Sequence, residues 1–541
     1  MVPRTPEALP GNSQESGRTA THGEAQPAPQ PSGRSRPAAE LGVVAVLVAW
    51  ALAVILLLDR TPYGLDEATA RVVLLLWSIA DQVPSPVITL GVPDFRALFL
   101  APFGVVFPGS LLAVKIGTLL VYLAASIALF RWRARQDDTE GPLLATGLLL
   151  IAPLALEQID RIAVGPFVLL GLVLGIWADE LYRSTRTRFG GWYFTQLILC
   201  LALPTMHPAG LALPLVLAFG WLRHAAPEPA APGIIPGRER THVLVGVALA
   251  ALCGLLLGGG WPQQAWLGNP LTALGQVLFA REAALAAGNG PLLGAGAALG
   301  LALLATLWLA RAALLADRLG QALGLALCLA LASGDRCFAL FGLVLLLHWG
   351  FPLLLRVRLG RSGGFAGQRG VAFAALVVLC TVFLLDGRAR YAEVHGAAIL
   401  SAQDRLIEQA AQRVQQDEDQ AAAAAVQPGL VTAEDKARRS PRVASQWPGR
   451  TMVACRCSSL PLPPAIDDPA RFAANLRGIR YVVFDPQDPR NRPLSQSFAI
   501  LGGAQAETVV LQPGGVLLRL RTETPAPGPD GKPAPAEKPG P

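Results

Sequence analysis

Long apolar runs recur between Leu41 and Leu385, and short polar gaps carrying arginine separate them. Crossing a hydrocarbon layer takes roughly 17–25 apolar residues in a helix. The run Leu41–Leu58 predicts a first span, read as an uncleaved signal anchor. Later runs predict spans near Ser110–Phe130, Pro142–Leu156, Ile162–Trp177, Trp192–Thr205, Ala209–Leu222 and His242–Gly259. Four more fall near Pro291–Ala310, Gln321–Ser333, Cys337–Leu355 and Val371–Leu385. The pattern therefore predicts an α-helical polytopic membrane protein with about eleven transmembrane helices.

The polar stretches divide the rest of the chain. Residues 1–40 are rich in Pro, Ser, Gly and Ala and read as a disordered tail. The block 41–385 is the transmembrane domain, with a long first loop over 59–109. Within that loop, Val72, Leu75, Leu76 and Ile79 form an apolar stripe at helical spacing, so Ala68–Val83 predicts an amphipathic helix lying on the membrane surface. Residues 386–521 predict a small α/β domain. It contains a polar helix over Ala397–Ala421, a loop-like stretch over Gln427–Trp447, a strand at Thr451–Cys455 and a helix at Asp468–Leu476. A strand at Tyr481–Phe484 and a hairpin of Thr508–Leu511 with Val516–Leu520 complete it. Residues 522–541 form a Pro-rich disordered tail.

Composition agrees with this picture. The 541 residues are 52% hydrophobic and 15% charged, with mean hydropathy +0.44, whereas soluble domains carry about 25% charged residues. The net charge of +7 suggests nucleic acid, but the arginines lie between the apolar runs, where they set topology. With the N-terminus inside, alternating spans place Arg131, Arg133, Arg135, Arg183, Arg223, Arg240, Arg318 and Arg356 on the inner side. The long first loop and the C-terminal domain then lie outside. Lysine is confined to Lys115, Lys436, Lys532 and Lys538, a usage that resembles GC-rich bacterial coding. The expected location is thus a bacterial inner (plasma) membrane, with the C-terminal domain periplasmic. Cys455 and Cys457 lack zinc-site spacing and partners; a disulfide involving one of them stays open.

Candidate chemistry sits on the outer side. Asp66-Glu67 follows the first span and opens the interfacial helix. A carboxylate there can take a proton from a hydroxyl acceptor, hold a divalent metal, or cap the helix. Glu157-Gln158-Ile159-Asp160-Arg161 supplies acids in the next outer loop. Arg96, Arg161 and His207 are outward cations, and Arg336 lies in another short outer loop. Lys115 lies near the outer end of the second span, where it snorkels or meets a lipid phosphate. Trp261 and Trp266 fit an interfacial aromatic belt.

Three short motifs carry a family resemblance. They are Asp66-Glu67 with its juxtamembrane helix, Trp192-Tyr193-Phe194 leading to Met206-His207-Pro208-Ala209-Gly210, and Arg480-Tyr481-Val482-Val483-Phe484-Asp485. Together they resemble the GT-C superfamily of membrane glycosyltransferases, in particular the protein mannosyltransferase and aminoarabinose transferase group. The resemblance implies inverting transfer of a sugar from a polyprenyl-phosphate donor to a glycolipid, polysaccharide or protein acceptor. It implies Asp66 as base, Glu67 as its support or as a ligand with Asp66 for Mg or Mn, and Asp160 as a second acid with Glu157 in reserve. Arg96, Arg161, His207 and Lys115 become candidates for the donor phosphate. The Lys-Pro-Pro that some relatives carry in the first loop is missing. Two other readings stay open: a multi-pass transporter or flippase, and a non-catalytic GT-C scaffold in envelope assembly.

Overall fold

The computed structural model describes residues 36–58, 65–79, 95–136, 140–185, 190–223, 236–257, 311–333, 337–350, 402–424, 442–501, 506–511 and 514–520, together with 308, 377 and 381. The spans expected near Pro291–Ala310 and Val371–Leu385, the Trp261–Trp266 loop, Arg336 and the two terminal tails lie outside the described residues or almost wholly so. The chain divides into two compact units, Met1–Ala53 and Val54–Pro541. The first holds most of α1 (Arg36–Leu57). The second holds everything below, so the helical block and the C-terminal sheet belong to one unit.

Helix α2 (Glu67–Ile79) lies in the stretch expected to be helical, but the buried side differs from the expected stripe: Val72 and Leu76 are buried together with Val73, Leu74 and Trp77, while Leu75 is half-buried and Ile79 exposed. It is followed by α3 (Arg96–Val106), a second helix within the first loop 59–109. Then come α4 (Leu111–Arg133), started by Ser110, whose hydroxyl accepts from Ala113 N at 3.2 Å, and α5 (Glu140–Ile151) with α6 (Pro153–Asp160). The run expected as one span at Pro142–Leu156 is α5 and α6, bent by 58°. Pro153 sits in the first turn of α6, where its missing N–H costs nothing but its ring ends the preceding helix. Helices α7 (Gly165–Thr185), α8 (Gly191–Met206), α9 (Ala212–Arg223), α10 (Pro236–Leu257), α11 (Arg318–Ser333) and α12 (Phe338–Leu345) follow, with a 3-10 turn at Pro208–Leu211 and a π turn at Leu346–Gly350.

Helix α7 packs between α4 and α8, and α8 packs along α10. Among the described residues, three helices are long and apolar enough to cross a membrane, or four if the bent pair is one span. The arginines assigned to the inner side meet at one end: Arg183 and Arg318 both reach Asp179 at 2.7 Å, and Arg133 reaches Asp317 at 3.5 Å. Gly210 marks the tightest approach at the other end. A Cβ there would lie 2.2 Å from the Leu203 carbonyl oxygen, so the turn after α8 needs glycine.

The C-terminal residues build a five-stranded sheet in the order β2-β1-β3-β5-β4, with β1 Arg442–Ser445, β2 Ser458–Pro461, β3 Tyr481–Phe484, β4 Ala506–Leu511 and β5 Gly515–Leu520. Strand β1 runs parallel to β2 and β3, while β5 is antiparallel to β3 and β4. Helix α13 (Ala402–Ala424) covers one face, packing Leu406, Ala410 and Val414 against Tyr481, Val483 and Leu517. Helices α15 (Pro469–Asn475) and α16 (Arg492–Leu501) cover the other, packing Phe472, Leu494 and Phe498 against Val482, Phe484 and Leu518. A strand covered on both faces reads as an unbroken apolar run, which is why Tyr481-Val-Val-Phe484 stands out in the sequence. One reading is corrected here. Thr451–Cys455 is not a strand but the body of α14 (Pro448–Cys455), which Pro448 starts in the first helical turn. Strands β1 and β2 were not foreseen; β1 (Arg442–Ser445) lies inside the stretch Gln427–Trp447 expected to be loop-like, its short Val-Ala core being too brief to show a strand period.

Candidate active site

The first turn of α2 fixes the acidic pair. Asp66 Oδ1 accepts the backbone N–H of Thr69 at 2.6 Å, so Asp66 caps the helix while staying exposed. Glu67 points elsewhere. Its Oε1 accepts from Gly449 N at 2.6 Å and its Oε2 from Arg450 N at 3.3 Å, and Arg71 Nε lies 3.9 Å away. Partial burial raises the Glu67 carboxyl above the ordinary value, against the lowering effect of these donors and of Arg71 and Arg450.

Arg96 joins α2 to the second acidic stretch. It is buried, and its Nη1 donates to Thr69 Oγ1 at 3.0 Å and to the Ile162 carbonyl at 2.8 Å. Ile162 is fully buried and has φ +51°, a left-handed backbone that a β-branched residue rarely adopts. Such strain persists where surroundings over-determine it, and the Arg96 bond is one of those constraints. The turn after α6 is thereby tied to the turn that opens α2.

Asp160, the last residue of α6, accepts from Lys115 Nζ at 2.7 Å. Lys115 is 1% exposed and Asp160 21% by side chain, so Lys115 does not snorkel; it meets a carboxylate inside the fold. Arg161 is 43% exposed, with Nε 3.5 Å from Glu157 Oε1 one turn back. Gln158 is buried beside Gly165, whose added Cβ would lie 2.7 Å from Gln158 Oε1.

His207 is buried where α8 ends. Its Nδ1 accepts from Ala209 N at 3.0 Å, opening the 3-10 turn, and its Nε2 lies 3.6 Å from Cys337 Sγ. It therefore serves as a cap within a packed turn. Cys337 also neighbours Gly165, which puts His207 in the same end of the helical block as Asp160.

Three of the four carboxylate oxygens of Asp66 and Glu67 accept backbone N–H groups. Among the described residues no group of three His, Cys, Asp or Glu is placed to hold a metal ion. A cleft of about 440 Å³ lined by Trp132, Glu180, Arg183 and Asp317 lies at the far end of α7. Gly165 to Glu180 spans fifteen residues of helix, roughly 22 Å at 1.5 Å per residue, so this cleft is remote from the acids.

Sequence reasoning singled out Asp66, Glu67, Arg96, Lys115, Asp160, Arg161 and His207. The structure links Arg96 to both acidic turns, pairs Lys115 with Asp160, and turns Glu67 toward the C-terminal domain. Thr69, Ile162, Gly449, Arg450 and Arg456 were missed. Gly449, after Pro448, carried a helix-start signal; the others carried none.

No family model matches the sequence, and no curated protein matches it. The chain is similar to two solved structures of ArnT from Cupriavidus metallidurans. For the apo state the TM-score is 0.49 and the identity 14%, over 89% of this chain and 98% of that one. For the form bound to undecaprenyl phosphate the values are 0.48 and 14%, over 88% and 98%.

Proposed function

We propose that this protein transfers a sugar from a polyprenyl-phosphate donor to a hydroxyl-bearing acceptor at the outer face of a bacterial inner membrane. The observation that carries the reading is the Arg96 strut. It brings an exposed carboxylate, Asp66, to the turn where Asp160 and Lys115 pair and Arg161 is half exposed. In this reading Asp66 takes the acceptor proton as the acceptor oxygen bonds to the anomeric carbon. The bond from that carbon to the phosphate oxygen breaks, the polyprenyl phosphate leaves with the electron pair, and configuration inverts. Arg161 offers positive charge for the phosphate, while Lys115 holds Asp160 in the turn beside it. His207 supports the turn behind them. No step is assigned to a metal. The eleven-span topology and the periplasmic C-terminal domain belong to the same proposal, supported by the gathering of inner arginines at one end.

The test is Asp66→Asn in a host lacking the gene, with envelope glycolipids and glycans read by mass spectrometry. Loss of a modification at normal protein level is expected. An unchanged profile rules the role out.

A second reading, a non-catalytic scaffold, has one observation in its favour: Lys115, Asp160 and Glu67 are already engaged within the fold. An Asp66/Asp160 double variant that keeps full function in the host would select it.

A further inference from the structure

We propose that Glu67 is a positioning residue that caps the N-terminus of α14 and thereby makes the C-terminal domain part of the assembly that holds Asp66; this rests on the transfer reading above. A helix leaves its first N–H groups without internal partners. In α14, Pro448 has no N–H, so Gly449 and Arg450 present the first donors. Trp447, at the N-cap place, gives no side-chain cap. Glu67 supplies it from 382 residues away, one carboxylate oxygen to each donor. A negative charge at this end also meets the positive end of the helix dipole.

The fit leaves no slack. A Cβ on Gly449 would lie 2.7 Å from Glu67 Oε1 and 3.3 Å from Ala70 Cβ, so a side chain there pushes the Glu67 carboxylate off the cap. The other end of α14 is held too. Arg456 follows it in the left-handed region, φ 54°, between bridged Cys455 and Cys457. Its guanidinium donates to the Gly109 carbonyl at 3.3 Å and sits 5.2 Å above the Trp77 ring of α2. Glu67 and Trp77 are ten residues apart, about 15 Å along α2, so α14 grips α2 at both ends. Arg450 carries the connection on, bonding Asp404 and Gln403 of α13. Asp66 is the neighbour of the gripped residue and caps the same helix. The two adjacent acids divide the work: Asp66 faces out, and Glu67 fixes the helix that carries it.

The experiment uses the full-length protein in lipid nanodiscs. It measures hydrogen exchange at the Gly449 and Arg450 amides, and sugar transfer from a polyprenyl-phosphate donor resolved into kcat and KM. Glu67→Gln keeps one carbonyl acceptor, enough for the shorter Gly449 bond, so Gly449 protection and kcat stay within about threefold of the parent while the Arg450 amide, left facing the side-chain NH2, exchanges faster. Glu67→Ala and Gly449→Val expose the amides at least about tenfold, the scale of a charge-assisted hydrogen bond, and lower kcat with them. Asp66→Asn abolishes transfer while the amides stay protected. The proposal is overturned if Glu67→Gln abolishes transfer with the Gly449 amide still protected, since Glu67 would then act in the chemistry. It is also overturned if Glu67→Ala changes neither readout. Full transfer in Asp66→Asn would instead refute the catalytic reading and leave the exchange result to judge the cap alone.

Discussion

Replacing Lys115 by methionine removes an ammonium that lies 2.7 Å from Asp160 Oδ1, in a site 1% exposed, and keeps an unbranched side chain of similar length. The carboxylate left behind is still four-fifths covered by protein, its side chain being 21% exposed. Breaking a fully buried ion pair from one side costs about 3–5 kcal/mol, most of it the penalty of the stranded charge. Some water reaches Asp160, so the expected cost is about 2–3 kcal/mol. Asp160→Asn strands the ammonium more deeply and costs about 3 kcal/mol. In the double variant no charge is stranded, and the loss falls to about 1–2 kcal/mol. The cycle thus predicts a coupling of roughly 3–5 kcal/mol. The assay is reversible unfolding in mixed micelles, titrated with denaturing detergent, where 2 kcal/mol is about a thirtyfold change in the equilibrium. Losses that add in the double variant would refute the pair as a stabilising unit. So would a Lys115→Met protein as stable as the parent.

Three further outcomes follow from the same geometry. Arg96→Met removes charged donors from Thr69 Oγ1 and the Ile162 carbonyl; at about 1.5–3 kcal/mol for each such bond, amide exchange through residues 159–163 should rise more than a hundredfold, and unchanged exchange would refute the strut. Gly210→Ala drives a Cβ to 2.2 Å from the Leu203 carbonyl oxygen; the strain should lower the thermal midpoint by several degrees, for about 1–3 kcal/mol of overpacking. The Glu67 carboxyl is raised by burial, so its folded form binds the proton more tightly than the free chain does. The carboxyl therefore contributes stability against unfolding that is fully present below the ordinary carboxylate range and is lost as pH rises through the raised value. The denaturation midpoint should fall across that window, and Glu67→Gln should remove this component of the pH dependence.

Much of the architecture is local enough to be legible in one dimension. Helix α4 shows its apolar run and its terminal Arg131 and Arg133, α15 shows its Asp468 cap, and β3 shows an apolar run that only a doubly covered strand tolerates. The assignment of Thr451–Cys455 to a strand failed because a short β-compatible run is ambiguous by periodicity; Pro448-Gly449, the helix-start signal, lay just upstream. The candidate residues were legible as types in the right loops, yet their roles were not. Asp66 and Glu67 are adjacent and chemically alike, and nothing local separates them.

What the sequence determined by itself was a membrane protein of apolar helices, the places of most of the described ones, a charge bias between its loops and the set of charged residues available for chemistry. These follow from composition, period and charge bias, properties that neighbouring residues carry together. What only the tertiary structure decided was which of those charges meet. Arg96 reaches across 27 and 66 residues to Thr69 and Ile162, Lys115 across 45 to Asp160, and Glu67 across 382 to Gly449. Each contact depends on packed helices bringing distant backbone within hydrogen-bond range, and at such separations a single chain carries no periodic trace of its partner.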